Sequence, residues 1–78
     1  MYTFKVILHN SDGARDFVKA AESMECDVDL VDGSIVVDGK SFIGVVTMDL
    51  SEALTVRLHS SNMEDINSFK EKVKALMV

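Results

Sequence analysis

Few residues in this chain can do chemistry. It has two histidines, one cysteine, and thirteen acids against eight bases. His9 and His59 are the imidazoles, the side chains best suited to act as acid–base groups, metal ligands or phosphate acceptors near neutrality. Both fall on the polar parity of alternating segments. If those segments pair antiparallel, the two rings stand near opposite ends of the pair, so they read as surface histidines with no shared site. Cys26 has no partner for an internal disulfide and reads as a small buried thiol near a helix end. Asp27, Asp29 and Asp32 suggest calcium, but a calcium loop needs alternating oxygen ligands, a central Gly and a distal Glu in one loop. Two of these aspartates lie on a strand pattern, so they read as a solvated face, and no metal site is expected. Gly39–Lys40–Ser41 ends like a phosphate-binding loop of the form G-x-x-x-x-G-K-[ST], yet Gly33 sits one residue too early and the stretch between is strand-like. A nucleotide triphosphatase is excluded. No Ser–His–Asp arrangement or paired catalytic carboxylates are visible, so neither an enzyme nor a cofactor is expected.

The elements that must position these residues are clear from periodicity. Tyr2–Leu8 alternates, with Tyr2, Phe4, Val6 and Leu8 on one face, and predicts a half-buried strand. Asn10–Ser11–Asp12–Gly13 supplies turn and cap residues. Phe17, Val18, Ala20, Ala21 and Met24 then recur at helical spacing, predicting a helix that ends near Cys26. Val28 and Leu30 alternate with aspartates in a second strand. Asp32–Gly33 is a hairpin signal, because Gly tolerates the positive φ of a tight turn. The third strand is Ser34–Val37. Ser41 caps a short helix carrying Phe42, Ile43, Val45, Val46 and Met48. Leu54, Val56 and Leu58 mark a fourth strand. Asn62 caps a last helix whose acids precede its lysines, as the macrodipole favours, with Ile66, Phe69, Val73 and Leu76 inward. The order is βαββαβα. Since every strand alternates, the fold class is α+β, an open-faced sandwich of a four-stranded antiparallel sheet with three helices on one face.

Residues 1–78 read as one domain. One cysteine, no cleavable leader and no long apolar run point to the cytoplasm and away from the membrane. A net charge of −5 argues against nucleic acid and suits other proteins or small molecules as partners.

The βαββαβα order together with Asp38–Gly39–Lys40–Ser41–Phe42–Ile43–Gly44–Val45–Val46 resembles the HPr family, the histidine phosphocarriers of the bacterial phosphoenolpyruvate:sugar phosphotransferase system. Lys40 through Val45 matches the family's Lys-Ser-apolar-apolar-Gly-Val stretch in register. The resemblance covers nearly the whole chain, strongest across the middle helix and fair at Asp27–Leu30. It implies an open-faced sandwich with sheet order first-fourth-second-third. The departure lies at the first helix, where a phosphocarrier has Gly-x-His-x-Arg-Pro and this chain has Ser11–Asp12–Gly13–Ala14–Arg15–Asp16. Matching Ala14–Arg15 to that motif puts Gly13 where the histidine belongs and Asp16 where the proline belongs. Asp12 and Asp16 would also repel an incoming phosphoryl group.

The resemblance therefore implies a regulatory or partner-binding module of phosphotransferase biology and sugar transport, without histidine phosphotransfer. Its nearest analogy is the histidine-less catabolite-repression HPr-like proteins. Its partners would be other proteins, either phosphotransferase-system components or a transcriptional regulator. Ser41 matches the serine that regulatory kinases phosphorylate in some HPr proteins, and it is equally a good helix cap. Phe42, Ile43 and Val46 match an apolar patch that docks partners. Two alternatives stand beside this reading. One is a working phosphocarrier that uses His9 as acceptor with Arg15 as phosphate partner. The other is a small-ligand or structural module that shares only the fold.

Overall fold

A computed structural model describes residues 1–78. The elements are β1 (Tyr2–Val6), α1 (Ser11–Glu22), β2 (Val28–Asp32), β3 (Ile35–Asp38), α2 (Phe42–Val46), β4 (Leu54–Leu58) and α3 (Met63–Lys72), followed by a 3₁₀ turn at Lys74–Leu76. The four strands form one antiparallel sheet in the order β1-β4-β2-β3. This is the α+β sandwich that the alternation predicts.

Several boundaries differ from the sequence reading, each for a local reason. β1 stops at Val6, because Leu8 turns the chain out of the sheet toward α1. β3 is Ile35–Asp38 rather than Ser34–Val37, since Ser34 is consumed by the turn after Gly33, whose φ is 60°. α1 ends at Glu22, where Ser23 donates its hydroxyl to the Ala20 carbonyl at 2.6 Å. Cys26 therefore lies beyond the helix and is half-buried, not buried. The last helix stops at Lys72, and Leu76 is only half-buried.

One face of the sheet carries the core. Leu54, Val56 and Leu58 of β4 are fully buried, as are Val28 and Leu30 of β2 and Val6 of β1. Across from them stand Phe17 of α1 and Phe69 of α3, meeting edge to face with centroids 5.7 Å apart. On the other face Thr3, Lys5, Val36 and Asp38 are exposed and Asp29, Val31, Thr55 and Arg57 half-exposed, so the sandwich is open. Every fully buried side chain is apolar, while Arg57, half-exposed on the open face, has its Nε enclosed without a hydrogen-bond partner. No helix is long and apolar enough to cross a membrane.

The central position of β4 makes Val56 a direct test of this packing. Val56→Ala opens a void between Phe4 of β1 and Leu30 of β2, its cross-strand neighbours. It should cost about 1–3 kcal/mol in urea unfolding. An unchanged midpoint at unchanged slope would mean that the strand's faces are reversed.

Candidate functional site

The region where α1 begins is built from the end of β1. Leu8 is buried, and Asn10 donates its N–H to the Leu8 carbonyl at 2.8 Å, closing a three-residue turn on His9. His9 has a φ of 71°, the one positive φ outside glycine. That conformation is strained for a residue with a Cβ. A second bond holds it there, from His9 N–H to the Leu50 carbonyl at 2.7 Å. Asn10 is extended and caps α1, its Oδ1 accepting from Gly13 N–H at 2.9 Å. Gly13 is buried so tightly that an added Cβ would stand 1.8 Å from the Leu8 oxygen.

These contacts redraw the match to the phosphocarrier motif. Gly13, the position paired with the histidine, lies within the first turn of α1 and has no room for any side chain. The residue at the helix entrance is Asn10, with His9 directly before it. The cap pattern Asn10-x-x-Gly13 is the sequence signal for this placement, since the cap oxygen reaches the amide three residues on.

His9 is exposed, but Arg15 is not turned toward it. The guanidinium donates from Nη1 to Asp12 Oδ1 at 3.2 Å, and Cζ lies 5.4 Å from the centroid of the Phe42 ring. Arg15 therefore joins α1 to α2 instead of serving His9. On the Leu50 side stands Asp49, which accepts from the Ser51 hydroxyl at 2.6 Å and the Ser51 N–H at 3.1 Å. The side-chain bond most, then the backbone bond, hold its carboxyl below the ordinary value, against a small opposing effect of desolvation.

α2 presents the second half of the region. Ser41 caps it, with Oγ accepting from Gly44 N–H at 3.3 Å. Lys40 Nζ donates to the Met24 carbonyl at 2.8 Å, tying the start of α2 to the chain just past α1. In so short a helix one residue, Val45, fills the core. Phe42 and Val46 are half-buried, and Ile43 is 79% exposed. Arg15, Phe42, Ile43 and Val46 thus lie on the adjoining elements α1 and α2.

His59 is elsewhere. The register Tyr2↔Leu58 and Val6↔Leu54 puts it at the opposite end of the β1–β4 pair from His9. There its Nε2 lies 2.7 Å from Asp29 Oδ2. That pairing escapes the sequence reading; its signal is the β2–β4 register, which sets Asp29 beside Arg57. The acids Asp27, Asp29 and Asp32 form no cluster of three or more metal-ligating side chains.

No protein-family model and no curated protein matches the chain. Solved structures do. An HPr protein from Thermoanaerobacter tengcongensis, in its HPr-C-His form, superposes with a TM-score of 0.74 at 14% identity, over 96% of this chain and 93% of that one. The histidine-containing phosphocarrier protein of Mycoplasma gives a TM-score of 0.72 at 15% identity, over 97% of this chain and 98% of that one. The fold is therefore HPr-like.

Gly13→Ala separates the two roles of a small residue here. Helix propensity alone favours Ala by about 1 kcal/mol. The clash with the Leu8 carbonyl opposes it; an overpacked contact this close to backbone belongs at the upper end of about 1–3 kcal/mol, leaving a net loss of about 1–2 kcal/mol. Thermal unfolding should show a lower midpoint, and a raised one would mean that Leu8 and α1 are not in contact. Asn10→Ala should lose the cap and about 1 kcal/mol on the same measurement.

Proposed function

We propose that this protein is a regulatory or partner-binding module of phosphotransferase biology, not an enzyme, and that it does not relay phosphate through histidine. The observation that carries the reading is Ile43, 79% exposed on α2 beside Phe42, itself held under the Arg15 guanidinium. An aliphatic side chain that exposed next to a fixed aromatic suits a docking anchor. Ser41 stands directly before the patch. A phosphate there would replace its cap contact with Gly44 and place about −1.5 to −2 charges beside Phe42 and Ile43. The partners of this reading are phosphotransferase-system components or a transcriptional regulator.

One observation favours a second reading, in which His9 accepts phosphate. Its φ of 71° at the helix entrance is the kind of strain that gathers at functional sites. Against it, Arg15, the cation this reading assigns to the phosphate, is held by Asp12, and the carboxylate of Asp12 in the first turn of α1 repels a phosphoryl group at the helix entrance.

The two readings separate in one assay. Incubated with phosphoenolpyruvate and the first enzyme of the phosphotransferase system, the protein should acquire little or no acid-labile phosphate. Stoichiometric labelling that His9→Ala abolishes would establish the phosphocarrier instead. For the docking reading, Phe42→Ala and Ile43→Ser should each weaken binding to a phosphotransferase-system component by about 2 kcal/mol while leaving the fold intact. Ser41→Asp should weaken or redirect the same interaction. Amide shifts that map to the open sheet face during titration would remove the patch from the function.

A further inference from the structure

The half-buried cations of this chain are Lys40, Arg57 and Lys70. Lys40 donates from Nζ to the Met24 carbonyl and Lys70 from Nζ to the Tyr2 hydroxyl, each at 2.8 Å. Arg57 differs. Its side chain makes neither a hydrogen bond nor an ion pair, although its Nε is enclosed by the protein. A partly desolvated charge without a partner is costly, and what relieves it is an anion. The enclosed Nε also fixes the stem of the side chain, so the terminal nitrogens Nη1 and Nη2 are left as the groups open to solvent.

Arg57 stands on the open face of the sheet, in the inner strand β4. On one side β2 sets Asp29 opposite it, and β3 sets Asp38 opposite Asp29. Asp29 is engaged elsewhere, its Oδ2 lying 2.7 Å from His59 Nε2. On the other side β1 sets Thr3 opposite Arg57, with Lys5 one diagonal step along and opposite Thr55. Diagonal neighbours on one face are within reach of long side chains. The Lys5 ammonium is unpaired as well. Val78, whose N–H donates to the Lys5 carbonyl, borders it on the outer side without forming an ion pair. The β1–β4 half of the open face thus holds two unpaired cations and two hydroxyls, and no acidic side chain.

We propose that this half of the open face binds a phosphate group, held by the Arg57 guanidinium and the Lys5 ammonium with Thr3 and Thr55 as hydroxyl donors. The charge count selects the ligand. Near neutrality a phosphate group carries about −1.5 to −2 charges, which two unpaired cations match. A carboxylate carries one and leaves a cation unpaired. The guanidinium adds geometry, because its planar N–H donors meet two phosphate oxygens at once, here from Nη1 and Nη2. Asp29 and Asp38 repel an anion from the β2–β3 half, which places it on the β1 side of Arg57. The adjoining row of the open face runs Lys5, Thr55, Val31, Val36, and Val36 is 50% exposed. A small apolar body esterified to the phosphate would lie along those valines. The helices cover the opposite face, so this site is separate from the entrance to α1 and from the α2 patch.

The test is an NMR titration with inorganic phosphate at constant ionic strength, reading the backbone amides and the Arg57 Nε–H. The amides of Thr3, Lys5, Thr55 and Arg57 and the Nε–H should shift saturably, with a dissociation constant on the order of 1 mM. Acetate should bind at least about tenfold more weakly, and added NaCl should weaken phosphate binding. Arg57→Gln should reduce the affinity at least about tenfold, and Arg57→Lys, which keeps the charge and loses the planar donors, by a smaller factor. Lys5 is exposed, so Lys5→Gln, with its own loss of affinity, keeps the test valid if Arg57→Gln disturbs β4. Phenyl phosphate distinguishes the source. Tighter binding with added shifts at Val31 and Val36 assigns an esterified phosphate, and equal affinity assigns the free anion. Shifts that do not saturate, shifts centred on His9 and Gly13 or on Lys19 and Lys72, equal binding of acetate, or full affinity in Arg57→Gln and Lys5→Gln would each overturn the proposal.

Discussion

The contact of Gly13 with the Leu8 carbonyl fixes how the first helix leaves the sheet. Leu8 is buried at the end of β1, and its carbonyl accepts from Asn10 while lying against the Cα of Gly13. With no Cβ at residue 13, α1 settles onto the sheet at a distance that a larger residue would forbid. Ala14, Ala20 and Ala21 continue that close approach along the buried side, and Phe17 fills the space they leave. Phe17 then meets Phe69 edge to face, and Phe69 meets Phe4 at 6.2 Å, so β1, α1 and α3 share one aromatic cluster. Because α2 packs on α1, a shift at residue 13 would also move Phe42 relative to Arg15.

Most of the architecture is written in short-range pattern. Alternation at Leu54–Leu58 marks a strand buried on one side, and the structure buries Leu54, Val56 and Leu58 completely. Ser41 and Asn62 read as caps, and the run Asn10–Gly13 reads as holding another, which the structure assigns to Asn10; each accepts from the first-turn amides of its helix. What pattern does not carry is the conformation of His9. Its positive φ depends on the Leu50 carbonyl, a group far along the chain, and no local rule points a histidine into that region. Nor does pattern locate the end of the last helix. The apolar spacing runs on to Leu76, but Leu76 and Met77 must bend back to bond Ile7 and bridge Val6, and that tertiary demand ends the helix at Lys72. For the site, residue types are readable while their pairing is not: Arg15 is visibly a cation, but only the packing of α2 on α1 gives it to Phe42.

Arg15 shows how weak interactions define a surface without holding a fold. Its ion pair with Asp12 is largely exposed on both sides, and exposed pairs contribute about 0–1 kcal/mol. A cation over an exposed aromatic adds on the order of 0.5–1 kcal/mol. Neither matters beside the burial of Phe17 or Phe69. Their effect is on presentation. Drawing the guanidinium toward α2 shields one side of Phe42 and leaves Ile43 in solvent. It also holds that positive charge between Asp12 and Phe42, away from the His9 turn.

A fold kept at 14–15% identity must rest on features that tolerate replacement of most side chains. Here those features are an apolar face on each element, caps, and a tight hairpin. Every fully buried side chain is apolar, so the packing that defines the fold does not depend on a polar group. Surface residues at the entrance to α1 can then change with little effect on stability, and the fold does not dictate what that entrance does. The exposed aliphatic side chains follow from the same one-sided core. The helix layer and the sheet bury each other's apolar faces completely at their centre, and what they cannot cover is left at the margins, on α2 and on β3. Ile43 and Val36 are exposed because the sandwich is already closed without them. Either can therefore be changed by selection for a partner while the packing that defines the domain stays as it is.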